Sequence, residues 1–315
     1  MRYDRPVPSH ALHPPHQKIL LFGPDGQVGS QLRHTLAPLG AVRTVPRAEI
    51  DLANADALRD LLREQAPDVI VNAAAYTAVD RAESERDLAC AINCGAVRVM
   101  AEEARKSDAL LVHYSTDYVF DGTRVGEYTE EDMPRPQSVY GSTKLAGERA
   151  IQESGCRHLI LRTSWVYGTR GGNFPKAILR AARERDHLTV VDDQFGSPTS
   201  ADLIADVTAQ CVERMAAAPA QYPCGLYHLT ASGRTSWYAY AKFLLETAAQ
   251  AGLPLKATSE NVEPISSERY GAAAKRPANS TLDTRKLQDA FAIELPHWTE
   301  HVRRFVEQVA AESVA

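Results

Sequence analysis

Lys18-Ile-Leu-Leu-Phe22, then Gly23-Pro-Asp-Gly26-Gln-Val-Gly29, then Ser30-Gln-Leu-Arg-His-Thr-Leu36 is the stretch whose reading decides the fold. An apolar run of strand length leads into three glycines within seven residues and then into helical spacing, which predicts strand, glycine turn and helix. In such a unit Gly23 makes the tight turn, Gly26 lets the backbone approach a pyrophosphate, and Gly29 lets the helix pack closely on the strand. The phosphates then sit at the helix N-terminus. Gly23, Gly26, Gln27, Val28 and Gly29 are therefore the expected cofactor-binding residues of the turn, at the spacing G-x-x-G-x-x-G rather than G-x-G-x-x-G.

Outward from this unit, strand-like and helix-like segments alternate, the mark of βαβ units and a parallel sheet. Strands are expected at Ala41–Val45, Asp68–Asn72, Ala109–Thr116 and His158–Thr163, with helices at Ala55–Gln65 and from about Ser84 to Ser107. The fold class is thus α/β: a Rossmann-type, doubly wound parallel sheet over residues 18–168. Ligands of such sheets bind at the carboxyl ends of the strands. Thr116, the small residues Ala73-Ala-Ala75 and the glycine turn should open onto one crevice, with Ala74, Ala75, Tyr76 and Thr77 against the cofactor.

Beyond Gly168 the alternation loses its regularity, and residues 169–315 read mainly as a smaller C-terminal α/β substrate lobe. Its expected elements are helices at Asn173–Arg185, Ala201–Met215 and Trp237–Ala251 and strands at Leu188–Val191 and Gly225–Leu229, with an ordered polar loop at Asp192–Thr199. Segments near 200–230 are expected to return to the first domain, and residues 216–223 to form a mobile loop. Residues 1–17, with four prolines, three histidines and no period, read as a mobile N-terminal extension and not as a signal peptide.

Composition narrows the function classes. A net charge of −5 over 315 residues, with no long Lys or Arg run, points away from nucleic acid and from anionic membrane as partners. No apolar stretch has the length to span a bilayer. Cys90, Cys94, Cys156, Cys211 and Cys224 are scattered and odd in number, which fits reduced thiols in a cytoplasmic protein. Without neighbouring ligands at metal spacing, Cys90 and Cys94 read as packing residues, and no metal site is expected.

Tyr140-Gly-Ser-Thr-Lys144 carries the chemistry. A spacing of four puts phenol and ammonium on one helix face. For a tyrosine to exchange protons near neutrality its pKa must fall by roughly three units, about 4 kcal/mol. A lysine about 4 Å away supplies that order of energy at a surface-like dielectric. Arg47, just after the second strand, stands where a guanidinium grips a ribose 2′-phosphate, which favours NADPH while leaving NADH open.

The glycine turn, Asn72-Ala-Ala-Ala75, His113-Tyr-Ser-Thr-Asp-Tyr-Val-Phe120, Val139-Tyr-Gly-Ser-Thr-Lys144, Arg162-Thr-Ser-Trp-Val-Tyr-Gly168 and Asp193-Gln-Phe-Gly-Ser-Pro-Thr199 together resemble the dTDP-4-dehydrorhamnose reductase family of the extended short-chain dehydrogenase/reductase superfamily. The resemblance runs in order from about Lys18 to the C-terminal helix. It implies reduction of the C4 ketone of a dTDP-linked 4-keto sugar by NAD(P)H, in rhamnose synthesis for cell-surface polysaccharide. Tyr140 would be the acid, Lys144 would lower its pKa and hold the cofactor ribose, and Thr116 would bind the sugar oxygen and tune Tyr140. Asp51 and Leu52 would meet the adenine, and Asp117, Tyr118 and Trp165 the sugar. Related dehydratases place Asp-Glu after the Thr, because elimination needs a base; here Asp117-Tyr118 follow, which favours plain ketone reduction. Some members hold Mg²⁺ between subunits on acidic side chains, but Gln31 and Thr299 stand at those places. Divalent cations prefer several charged oxygens, so Mg²⁺ is not expected, and a homodimer is left open. Two alternatives remain: reduction of another nucleotide-linked 4-keto-deoxyhexose, and a non-catalytic binding subunit like the regulatory subunit of methionine adenosyltransferase.

Overall fold

The computed structural model of the chain describes residues 16–314. The elements of the first half are β1 (Gln17–Phe22), α1 (Gln27–Thr35), β2 (Gly40–Val45), α2 (Ala55–Gln65), β3 (Val69–Asn72), α3 (Val79–Ala82), α4 (Arg86–Cys90), α5 (Ala96–Ser107), β4 (Leu110–Thr116), α6 (Val139–Ser154) and β5 (His158–Thr163). Then come β6 (Val166–Tyr167), α7 (Phe174–Glu184), β7 (Leu188–Val191), β8 (Phe195–Gly196), β9 (Thr199–Ser200), α8 (Ala201–Ala217), β10 (Gly225–His228), β11 (Thr235–Ser236), α9 (Trp237–Gln250) and β12 (Val262–Ile265). The chain closes with α10 (Ser267–Tyr270), α11 (Arg285–Phe291) and α12 (Trp298–Val314).

Six parallel strands form the central sheet in the order β10-β5-β4-β3-β1-β2. Alternate residues of each strand point to opposite faces, and both faces are buried. Ile19 and Leu21 of β1 join one core with Leu32 of α1 and Ile204 of α8. Leu20 and Phe22 join the other with Leu58 of α2 and Met100 of α5. Helices therefore cover both sides, as the sequence predicts for a doubly wound sheet.

The sixth strand comes late in the chain. β10 pairs with β5 in parallel, and α8 packs on α1, where the Thr35 hydroxyl donates to the Ala205 carbonyl at 3.2 Å. Short strand pairs outside the sheet (β12 on β7, β11 on β8, β6 on β9) organise the remaining segments. The polar loop expected at Asp192–Thr199 instead holds β8 and the start of β9, each too short to show a period. The loop expected at residues 216–223 begins later, because α8 runs to Ala217. Residues 1–15 of the expected extension lie outside the described residues, and Gln17 is corrected from tail to strand: it pairs with Gly40 in β1 and β2.

Between α4 and α5 the helix expected from Ser84 to Ser107 widens into a π segment, Ala91–Gly95. Such widenings occur mostly as single turns within α-helices, often at functional sites. Here the widened turn carries Asn93, whose side chain accepts from Tyr76 N at 2.9 Å and donates to the Tyr76 carbonyl and the Thr143 hydroxyl, each at 3.1 Å. It ties the loop after β3 to α6.

Candidate active site

The glycine turn has the geometry its sequence predicts. Gly23 has φ +73°, a backbone that L side chains rarely adopt, and a Cβ on Gly29 would lie 1.9 Å from the Gly23 carbonyl oxygen. Only hydrogen at both positions lets α1 start this close to β1. Gly26 is the N-cap of α1 and provides no side-chain cap, so the first amides of the helix face outward without a side-chain partner. That is the donor set an anion needs. Gln27, at the head of α1, accepts from Asn173 Nδ2 at 2.8 Å, and Val28 packs against the core.

Beside the turn lies a cleft of about 370 Å³ that gathers Gly23, Arg47, Asp51, Leu52, Ala74 and Ala75, all named from the sequence. Arg47 is exposed on its lip, and no ion pair to it is found among the described residues. Asp51 accepts from Ala53 N at 3.0 Å. Tyr76 and Thr77 follow on the same loop outside the cleft lining: the Tyr76 phenol donates to Glu85, and Thr77 is exposed.

α6 starts where Ser138 caps it, its hydroxyl accepting from Gly141 N at 3.1 Å, which places Tyr140 in the first turn and Lys144 one turn deeper. β4 runs on past its neighbour β3, whose last residue Asn72 pairs with His113, and so carries Thr116 to the carboxyl edge. There the Thr116 hydroxyl donates to Asp117 at 3.1 Å, accepts from Tyr118 N at 3.2 Å, and is hydrogen-bonded with Tyr140. The Tyr118 and Tyr140 rings meet edge to face, 5.6 Å between centroids. β5 ends level with β4, Thr163 beside Thr116, so Trp165 follows onto the same edge. It sits at φ +49° and stacks on Trp237 with centroids 3.5 Å apart.

The electrostatics depart from one expectation. Burial pushes the Tyr140 phenol up to about 12; the hydrogen bond with Thr116 opposes the rise and Asp117 adds to it. The depression expected from Lys144 is therefore corrected, for its Nζ is engaged elsewhere: it donates to the Tyr114 carbonyl at 2.6 Å and lies 3.2 Å from His113 Nε2. Burial brings Lys144 itself down to about 8, against the opposing pull of Glu148. Burial likewise raises the Asp117 carboxyl to about 6, with its hydrogen bonds holding it down.

Sequence reasoning quoted Asn72 and His113 within motifs and gave neither a role, and it passed over Asn93 and Trp237. Apart from the Ala74 N–H that Asn72 accepts from, their partners are 17 to 50 residues away or on other elements, so no local pattern marks them. Among the described residues no group of three or more His, Cys, Asp or Glu side chains is placed to hold a metal. Thr299 meets His297 Nδ1 at 2.8 Å, and Gln31 is half-buried on α1. No helix among the described residues is long and apolar enough to cross a membrane.

A doubly wound sheet, a glycine turn and a Thr, Tyr and Lys set at the carboxyl edge have the form of a short-chain dehydrogenase/reductase, an NAD(P)-dependent oxidoreductase. The family model described as the RmlD substrate binding domain matches residues 17–311, and the chain belongs to that family. It is 46% identical over 295 residues to dTDP-4-dehydrorhamnose reductase of Escherichia coli strain K12, covering 92% of this chain and 97% of that one. Among solved structures it is similar to dTDP-4-dehydrorhamnose reductase of Clostridium acetobutylicum, with TM-score 0.85, 32% identity, and 93% of this chain and 99% of that chain covered. It is similar as well to the Bacillus anthracis reductase crystallised in complex with NADP, with TM-score 0.84, 35% identity and the same coverage.

Proposed function

We propose that this protein reduces the C4 ketone of dTDP-4-dehydro-L-rhamnose with NADPH, giving dTDP-L-rhamnose for cell-surface polysaccharide. The observation that carries the reading is the Thr116 and Tyr140 hydroxyl pair at the carboxyl edge, beside the dinucleotide cleft and within a chain 46% identical to a reductase of that name. The residues present fit a dinucleotide. The uncapped amides after Gly26 would take the pyrophosphate, Ala74 and Ala75 leave room for the backbone to approach, Asp51 and Leu52 would meet the adenine, and the unpaired Arg47 would take a 2′-phosphate. When bound, the cofactor supplies the hydride.

The chain supplies the proton. With its phenol pushed up to about 12, Tyr140 keeps its hydrogen throughout the physiological range, so it meets the ketone oxygen as an acid. Thr116 would donate to that same oxygen and orient it. Lys144 would hold the ribose. Asp117, Tyr118 and Trp165 would wall the sugar. Nothing beside Thr116 offers the carboxylate that dehydration requires in the second position, since Tyr118 occupies it.

The test follows NADPH absorbance with dTDP-4-dehydro-L-rhamnose beside other nucleotide-linked 4-keto sugars, repeated with NADH. Turnover fastest with the dTDP-rhamnose precursor supports the reading; turnover with another sugar alone moves it to a sister reductase, and none with any sugar removes the enzyme reading.

A further inference from the structure

Four hydrogen-bond contacts run in line through the buried side of the site. Ala74 N donates to Asn72 Oδ1 at 3.2 Å, Asn72 Nδ2 lies 3.2 Å from His113 Nδ1, His113 Nε2 lies 3.2 Å from Lys144 Nζ, and Nζ donates to the Tyr114 carbonyl at 2.6 Å. Asn72, His113 and Lys144 are 2%, 0% and 2% exposed, so water does not substitute for the links among them. Both ends of the line are fixed in direction, because a backbone N–H only donates and a backbone carbonyl only accepts.

That polarity sets everything between. With Oδ1 turned to Ala74, the Asn72 amide presents hydrogens to His113, so Nδ1 accepts and the ring hydrogen sits on Nε2. Nε2 then donates towards Lys144, which can accept only as a neutral amine. An ammonium at Nζ reverses the line: Nε2 must accept, the ring hydrogen moves to Nδ1, and Asn72 turns its oxygen to the ring. Its NH₂ group then faces the Ala74 N–H, and that part-buried donor loses its protein partner. Ala74 lines the cleft beside the glycine turn.

We propose that His113 is a positioning residue that couples the charge of Lys144 to the backbone of the dinucleotide loop: the neutral amine goes with an anchored Ala74, and the ammonium with a released one. This rests on the reductase reading only in that Lys144 and Ala74 meet the cofactor; the coupling itself belongs to the free protein. Burial of Lys144 and of His113 acts in the same sense, each favouring the neutral form. Among the other titratable or charged groups on the elements around Lys144 are Tyr140, Glu148, Arg149 and Glu153 on α6, Tyr114 on β4, His158 and Arg162 on β5, Asp117 and Tyr118 after β4, and Cys94 in the π segment. Glu148 alone pulls Lys144 towards the ammonium, and its carboxylate is shared with Arg162. The reciprocal consequence is that whatever steadies Ala74 also lowers the proton affinity of Lys144.

The experiment reads the ring nitrogens of His113 and the Lys144 Cε by heteronuclear NMR in the full-length protein without ligand, across a pH series. The expected result is a ring that stays neutral while its hydrogen moves from Nε2 at high pH to Nδ1 at low pH, in step with Lys144 protonation and with a shift of the Ala74 amide. Asn72→Asp, whose carboxylate only accepts, should lock the hydrogen on Nδ1 at every pH and raise the proton affinity of Lys144 about tenfold, one pKa unit. A single tautomer throughout the wild-type series overturns the proposal, as does a ring that titrates to imidazolium together with Lys144. An Asn72→Asp protein that folds and keeps the wild-type tautomer behaviour overturns it equally.

Discussion

Glu148 and Arg162 face each other as a buried two-point pair, Nε to Oε1 at 2.9 Å and Nη2 to Oε2 at 2.7 Å, with side chains 1% and 3% exposed. The pair bolts α6, which carries Tyr140 and Lys144, to β5, which leads to Trp165. Removing one partner of such a pair leaves an uncompensated buried charge, so Glu148→Ala should lower stability by about 3 to 5 kcal/mol in urea unfolding. The double variant Glu148→Leu with Arg162→Met should recover most of that loss. Equal stability of Glu148→Ala and wild type would show that the pair carries no net weight.

Tyr140→Phe removes the hydroxyl and keeps the ring that meets Tyr118 edge to face. Turnover should fall by about 10² to 10⁴, the usual weight of a positioned acid, with NADPH affinity retained. Steady-state rates and a fluorescence titration of the cofactor separate the two effects, and near-normal turnover would exclude Tyr140 as the proton source.

Asp117 makes stability depend on pH. Its carboxyl moves from 3.8 up to about 6 on burial, so between these values the folded chain binds the proton that the unfolded chain has released. Stability from this group is present in full below pH 3.8 and is lost as pH rises through 6. Asp117→Asn is free of that loss and should be more stable than wild type at pH 7 by about 3 kcal/mol. Denaturation at pH 7 and at pH 3.5 or so should show the difference shrinking in acid, and a constant difference would mean the carboxyl is not neutral in the folded protein.

Arg47→Ala should weaken NADPH binding by about 1.5 to 3 kcal/mol, the range for hydrogen bonds to charged groups, and leave NADH almost untouched. Only the phosphorylated ribose offers a dianion to the guanidinium. Titration of both proteins with both cofactors checks it; equal losses for the two cofactors would show that Arg47 does not read the 2′-phosphate.

The sequence was most legible where physical cause is local. α2 spans Ala55–Gln65 as expected from the sequence; Asn54 caps its start, accepting from Ala57 N, and Ala66 turns left-handed at its end. The apolar runs of β1 and β5 needed no partner to be recognised, since both faces of a central parallel strand are buried. The glycine turn, the Tyr140 helix and the Thr116 strand end were readable for the same reason. β12 was not, because Val262-Glu-Pro-Ile265 has neither alternation nor an apolar run and exists through its pairing with β7. The proton state of Lys144 was also out of reach: four residues separate it from Tyr140, but its actual neighbours, Tyr114 and His113, are 30 and 31 residues back.

The late sixth strand has a consequence for how the protein is made. Every residue proposed to meet the dinucleotide or to move the proton lies before Gly168, yet β5 is flanked on one side by β10, which ends at His228. A ribosome delivers the chain from the N-terminus, so β5 waits with an open edge and α1 waits uncovered until some sixty further residues have been synthesised. Open apolar edges invite pairing with other chains. The nascent protein is therefore most vulnerable after the residues proposed for the chemistry exist and before α8 and β10 arrive, and a fragment stopped at Gly168 should collect in aggregates while one that runs past His228 stays in solution.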